Sequence, residues 1–388
     1  MWSENKKIDL VIEVLLYLTA INFFHAGQIF VPIICLIILI DNHFSFYVNN
    51  MKTFIVLCLF GLSFLLFSYK LGPYCIVGLL CPMAYYIGSN IKEKSEESYK
   101  KALYTLMLGM CSLVVLDFIG ECFIFGPEVF TTRSHRDFWT KKSTPETQTV
   151  VNYTLLLGSV YYIMYYENKT KKKLLLSLFI FLMLYNIRLG RRSPILILFI
   201  SIIISVLVDY FIQKNRTFNK KLVLGLSLLT IIAVAVFAVF FSLNIMNFQV
   251  YVLNMRIVQK IVLNGSWYTG RTEIFIESLK LFPNHLWGGQ EVSSILGIQV
   301  HNLWFDAFDY AGIITFILLV YHTYLFISIF VKMIKKDMSK ELILLNLTLF
   351  SCILTQMLIE PIMTGSSIFL ISVIILESSL ECVYQNEE

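Results

Sequence analysis

The chain has 388 residues, of which 57% are hydrophobic, 15% aromatic and only 15% charged. Apolar runs recur from end to end, which excludes an ordinary soluble globular domain. A formal net charge of +5 raises nucleic acid as a partner, but basic residues in short loops between apolar runs set membrane orientation instead, and no nucleic-acid partner is expected.

A helix needs about 20 residues to cross a bilayer. Apolar runs of about that size fall at 8–24, 29–41, 53–69, 74–89, 102–119, 150–166, 174–188, 194–212, 222–243, 310–331, 342–358 and 366–381. The expected fold class is therefore all-α: a polytopic membrane protein of about twelve spans, forming a single domain over 1–388. The first run follows two lysines, as in a signal peptide, but no small-residue cleavage site comes after it and the next run begins almost at once. It reads as the first anchor. Eight cysteines, at 35, 58, 75, 81, 111, 122, 352 and 382, form no CxxC pair and have no histidine at zinc-like spacing, so they read as small hydrophobes.

Residues 174–212 would make one helix of about 58 Å at ~1.5 Å per residue, far longer than a ~30 Å hydrocarbon core. They must fold back. The turn is expected at LGRRSP, where Gly190 relaxes the backbone, Pro194 lacks an amide hydrogen, and Ser193 before it is biased away from helix. Alternate loops carry MWSENKK, NIKEKSEESYKK, ENKTKKK, QKNRTFNKK and KMIKKDMSK. The positive-inside rule makes these cytoplasmic, together with both termini. Two larger segments then face outward, 120–149 and 244–309. In the second, Met246, Val250, Leu253, Ile257 and Ile261 recur near helical period, as in an interfacial amphipathic helix or a re-entrant hairpin packed on the bundle.

The two basic residue types divide differently across this topology. Of 23 lysines 18 fall inside, whereas of 8 arginines all but Arg216 fall outside, at 133, 136, 188, 191, 192, 256 and 271. Topogenesis treats the two alike, so the outer arginines need another cause. Planar bidentate recognition of phosphate or carboxylate is what Arg does better than Lys. The plainer alternative is pairing with loop acids such as Glu128, Glu273 and Glu277.

Candidate chemistry gathers in the outer segments. Arg271 follows a glycine, and His301 and Asn302 stand just ahead of the tenth span. Asp306 and Asp309, three apart on one helical face, and Glu360 in the outer turn IEPIMTG are the nearby acids. The first outer segment combines Arg133, Arg136 and Asp137 with Trp139, a mixture that suits carbohydrate or, more plainly, a solvated loop at the interface belt. His25, His135 and His285 are also outside, with no partner at meaningful spacing, while His43 and His322 fall on the wrong side or within a span.

GRTEIF, LWGGQE and HNLWFDAFDYAGI, in that order before a span, together with RRSPILIL at an outer hairpin, resemble the O-antigen ligase and Wzy-type polysaccharide polymerase family. Arg192 takes the Arg position of that family's Ser-Arg-x-x-Leu-Leu element, and Arg191 replaces the usual Ser. The resemblance implies transfer of a glycan from an undecaprenyl-pyrophosphate donor to an acceptor sugar, without metal or other cofactor, at the outer face of a bacterial cytoplasmic (inner) membrane. It implies membrane lipid, the lipid-linked acceptor, a flippase and chain-length regulators as partners. Arg192 and Arg271 become the expected pyrophosphate clamp with Arg188 and Arg191 in support, since fixed guanidinium groups stabilise a departing diphosphate. Arg188 has a second reading as a snorkelling residue. His301 becomes the expected base, with Asp306, Asp309 or Glu360 as substitutes, Asn302 beside it, and Arg133, Arg136 and Trp139 against the acceptor glycan.

Polymerase and ligase share a donor and differ in acceptor; polymerase is the more general reading. A lipid-linked oligosaccharide flippase is the non-enzyme rival. It would need ionisable residues along its path, and Glu13, Asp117 and Asp209 are few and unmatched between halves. A glycosyltransferase with an acidic pair in a long first outer loop is disfavoured, because that loop is only about HAGQ.

Overall fold

The structure is a computed structural model, described over residues 2–68, 73–91, 95–130, 135–144, 146–189, 191, 193–212, 242, 243, 249, 253, 271–335 and 338–386. Its helices are α1 (Trp2–Ala20), α2 (Gly27–Asp41), α3 (Met51–Phe67), α4 (Pro73–Ser89), α5 (Glu96–Phe125), α6 (Glu146–Asn152), α7 (Thr154–Tyr166), α8 (Lys169–Leu189) and α9 (Ser193–Ile212). After the segment around 213–270 come α10 (Arg271–Leu281), α11 (Glu291–Leu296), α12 (Leu303–Lys335), α13 (Lys340–Ile359), α14 (Ile362–Gly365) and α15 (Ser367–Asn386). Among the described residues the only extended pairing is a bridge between Arg136 and Ser143. Every predicted apolar run contains helix except 222–243, of which 222–241 lie outside the described residues, as does most of the amphipathic stretch expected at 246–261.

These boundaries follow from local chemistry. Asn50, Ser95 and Ser339 each turn a side-chain oxygen onto the first free amides of α3, α5 and α13, and Asn302 Oδ1 does the same for Trp304 and Phe305 at the start of α12. The fold-back expected at LGRRSP is present: α8 ends at Leu189 and α9 begins at Ser193.

Among the described residues, four helices are long and apolar enough to cross a membrane, at Glu96–Phe125, Leu303–Ile334, Lys340–Ile359 and Ser367–Gln385. Shorter apolar helices accompany them at Gly27–Asp41, Met51–Phe67, Ile76–Ser89 and Ser193–Val208. Large apolar side chains such as Leu36, Leu66, Ile180, Phe199 and Ile317 point outward, each more than half exposed. That surface suits lipid rather than water. The chain is thus an all-helical protein of membrane-embedded character.

Packing joins α15 to α4, α4 to α3, and α3 to α12; a second group joins α13 to α7 and α9; and α1 packs on α5 and α2. Gly61 and Gly78 bring α3 and α4 into backbone contact, since a Cβ on Gly61 would lie 2.6 Å from the Gly78 carbonyl oxygen.

The most unusual local geometry is in α12. Gly312 has φ 80° and ψ −172°, which breaks the helix. The turn segment before α11 fills the gap: Ile313 N donates to Leu286 O at 2.9 Å, Gly289 N to Tyr310 O at 3.2 Å and Gln290 N to Asp309 O at 2.7 Å. A Cβ on Gly312 would sit 2.5 Å from Leu286 O, and one on Gly288 2.6 Å from Gly312 N. The GG of LWGGQE and the G of DYAGI are therefore one contact, made where only glycine permits two backbones to touch.

Candidate functional site

The α8–α9 turn, the start of α12 and the end of α13 converge. Glu360, 1% exposed, caps α13 and accepts a hydrogen bond from Ser193 Oγ at 3.2 Å. His301 Nδ1 lies 3.9 Å from its other oxygen, and the histidine ring is partly exposed. Asn302 Nδ2 donates to Leu358 O at 3.4 Å, fastening the entry of α12 to the same end of α13. The turn itself is pinned by Asn186, whose Nδ2 donates to Arg191 O at 3.0 Å and whose Oδ1 accepts from the Tyr153 hydroxyl at 2.9 Å. Arg191 is half-buried there, and Tyr153 lies within electrostatic range of both Arg191 and Glu360.

Thus residues far apart in sequence, Arg191, His301 and Glu360, share one locality, with a carboxylate beneath a partly exposed imidazole. Such a pair can accept a proton from a hydroxyl and hold the resulting charge. Arg192 and Arg133 lie outside the described residues. Arg271 opens α10 as expected; its side chain is not among those described.

The two aspartates of α12 differ. Asp309 Oδ1 accepts from the backbone N–H groups of Val292 at 3.1 Å and Ser293 at 3.3 Å, and Oδ2 accepts from the Ser293 hydroxyl. It caps α11 from a neighbouring helix. Asp306 is buried in the first turn of α12, its N–H on Asn302 O at 2.8 Å.

A second polar cluster was not singled out by sequence. His135 Nδ1 is 3.0 Å from Glu121 Oε1 and 3.2 Å from the Tyr185 hydroxyl, and Nε2 is 2.5 Å from Thr149 Oγ1. Arg188 pairs with the other Glu121 oxygen and donates Nε to Val129 O at 2.5 Å. Its side chain is 5% exposed, which places the guanidinium inside the protein, not at the lipid surface where a snorkelling residue ends. No periodic signal marks His135, because its partners come from α5, α6 and α8. Asp117 and Glu121, two acids at the end of the apolar run of α5, were the available hint, and His135 Nε2 also lies 3.9 Å from Asp117 Oδ2.

Arg136 also belongs to this loop. Its N–H donates to Glu121 Oε1 at 2.9 Å, its Nη1 to Lys141 O at 3.0 Å, and its guanidinium stands 5.4 Å from the Phe125 ring centre. Trp139 packs against Phe23, Phe24 and Phe138 at centroid separations of 5.2, 4.7 and 4.9 Å, leaving Phe24 as the most exposed ring of the group, at 64%. Asp137 ties this loop to the α1–α2 turn through His25 Nε2 at 2.9 Å. Burial by itself would raise the Asp137 carboxyl, but the amide and hydroxyl of Thr140 and the His25 imidazole outweigh it and hold the group below the ordinary carboxylate range.

The fold and this site define a helical, membrane-embedded protein with a polar site where three helix ends meet. Neither family models nor curated proteins compared with the chain give a match.

Proposed function

We propose that the chain is a polysaccharide polymerase of the Wzy type, with about twelve spans and both termini in the cytoplasm of a bacterial cell. It transfers a glycan from an undecaprenyl-pyrophosphate donor to a lipid-linked acceptor at the outer face of the cytoplasmic membrane. The observation that carries this reading is the meeting of the Arg191–Ser193 turn with His301 and Glu360. In the proposed step an acceptor hydroxyl oxygen attacks the anomeric carbon, the bond from that carbon to the phosphate oxygen breaks, and undecaprenyl pyrophosphate leaves. The hydroxyl proton passes to His301, whose positive charge Glu360 balances. Arg191, Arg192 and Arg271 receive the departing diphosphate. Arg188, neutralised by Glu121, positions the turn that carries them, and Asp309 holds α11 in place.

Reconstitution of the purified chain with a lipid-pyrophosphate repeat unit, followed by gel analysis, tests the reading. A ladder of products supports polymerase; one product on a separate acceptor replaces it with ligase; movement of donor without bond formation replaces it with a flippase. The flippase is the second reading, favoured by the buried ionisable groups of α12 and α15 described next.

A further inference from the structure

Helix α15 carries two glutamates four residues apart on one face of an otherwise apolar segment. Glu377 is fully buried and Glu381 is 6% exposed. Ionised carboxylates are costly in a low-dielectric bundle unless cations and hydrogen bonds meet them, so the neighbours of each decide its state. Glu381 is met by two donors: Asn50 Nδ2 at 3.0 Å on one oxygen and the Tyr85 hydroxyl on the other. Glu377 is met differently. His322 Nε2, from α12, lies 3.0 Å from Glu377 Oε2 as an ion-pair contact, and neither Glu377 oxygen has a hydrogen-bond partner among the described residues.

A second, separate observation concerns Thr53. It is fully buried, its N–H donates to Asn50 Oδ1 at 3.4 Å, and its hydroxyl oxygen, beside the Tyr85 hydroxyl, has no hydrogen-bond partner among the described residues. Unsatisfied polar atoms on a buried carboxylate, and on a hydroxyl beside the Tyr85 that bonds Glu381, mark a place built to hold something small and polar. Charge says what. The titratable groups acting on the pair are Glu381 from α15 itself, Tyr85 and Cys81 from α4, and Lys332 from α12. Lys332 is exposed at the helix end and acts on Glu381. Inside the bundle one imidazole therefore faces two carboxylates, which leaves a negative excess when both acids are ionised.

We propose that Glu377 and His322, with Glu381 and Tyr85 beside them, form an intramembrane proton-binding site reached from the α2–α3 end of the bundle. Glu377 takes up the proton and becomes a neutral acid, and releases it again as a carboxylate paired with His322. Asn50, half-buried at the cap of α3 and bonded to Glu381, links the cluster to that end of the molecule. A histidine beside a carboxylate suits a proton better than an alkali cation, which favours an all-oxygen shell. The site is separate from the α8–α9 turn and does not depend on the reaction proposed there.

The test is infrared difference spectroscopy of the purified full chain, titrated between about pH 5 and 8, the range in which a histidine-linked group exchanges its proton. A carboxylic C=O band that appears on acidification, is missing in Glu377→Gln and shifts in frequency in His322→Asn is the expected result. A band that survives Glu377→Gln, or a wild-type chain with no titrating carboxyl band, overturns the proposal. Should Glu377→Gln fail to fold, Glu377→Asp, which keeps the acid and moves it, must shift the band; an unshifted band overturns it equally. A spectral response to Na⁺ at fixed pH in place of the pH response would assign an alkali-cation site and also overturn it.

Discussion

Three acidic residues near the candidate site illustrate how the same side chain takes different work from its neighbours. Glu360 sits under a partly exposed histidine, Asp309 is occupied by the amides of α11, and Glu121 neutralises Arg188. The assignments separate experimentally. His301→Ala should slow glycan transfer by roughly a hundred- to ten-thousand-fold, the usual range for a lost general base, with the protein still in the membrane; unchanged turnover in a reconstituted assay would remove it from that role. Asp309→Asn keeps an oxygen for the Val292 and Ser293 amides and should leave the product ladder intact, whereas loss of the ladder would return Asp309 to the chemistry. Arg188→Ala leaves the buried Glu121 carboxylate without its cation and should cost about 3–5 kcal/mol in stability, measured by thermal or denaturant unfolding in detergent. A fully stable but inactive Arg188→Ala would instead make it part of the diphosphate clamp.

At the scale of elements, helix positions were legible in sequence because a span must be apolar over its whole length and its ends must be capped. Length showed that 174–212 must fold back, and Gly190, Ser193 and Pro194 placed the turn. What sequence could not supply was which helix ends meet: His135 finds Glu121, Thr149 and Tyr185 only after α5, α6 and α8 have packed. Glu377 and Glu381 were hidden for the opposite reason, since two acids barely lower the hydropathy of so apolar a run. The Gly288–Gly312 contact yields an element-scale prediction. Gly312→Ala adds a methyl group against Leu286 O at a positive φ, and should destabilise the docking of 286–296 by about 1–3 kcal/mol. Faster labelling of a cysteine placed at the buried Val292 position would report it; unchanged protection would show that the two backbones tolerate separation.

For the whole molecule, several polar links join the 135–144 loop to the bundle, and the one through Asp137 depends on its carboxylate being ionised. Because the folded Asp137 carboxyl lies below its ordinary value of 3.8, its anchoring contribution is complete above that value and is lost as pH falls through the lower, folded one. Limited proteolysis of the 135–144 loop should therefore accelerate only below about pH 4, and His25→Ala should weaken the same anchor at neutral pH. Acceleration already near pH 6 would point to a different link. The topological reading is tested by cysteines at Ser143 and Gly297, which should react with an impermeant reagent from the same, non-cytoplasmic side. Labelling from opposite sides would separate the two outer segments and dissolve the shared site.

The broken hydrogen-bond ladder at Gly312 has a mechanical meaning. The nine residues from Leu303 to Ala311 are stitched laterally to Gly289 and Gln290, so the helix start that follows His301 is yoked to this segment as well as to the end of α13 through Asn302. In the reading proposed above, a sugar chain pressing on residues 286–296 would act on His301 through that yoke, giving the acceptor leverage over when the base is aligned.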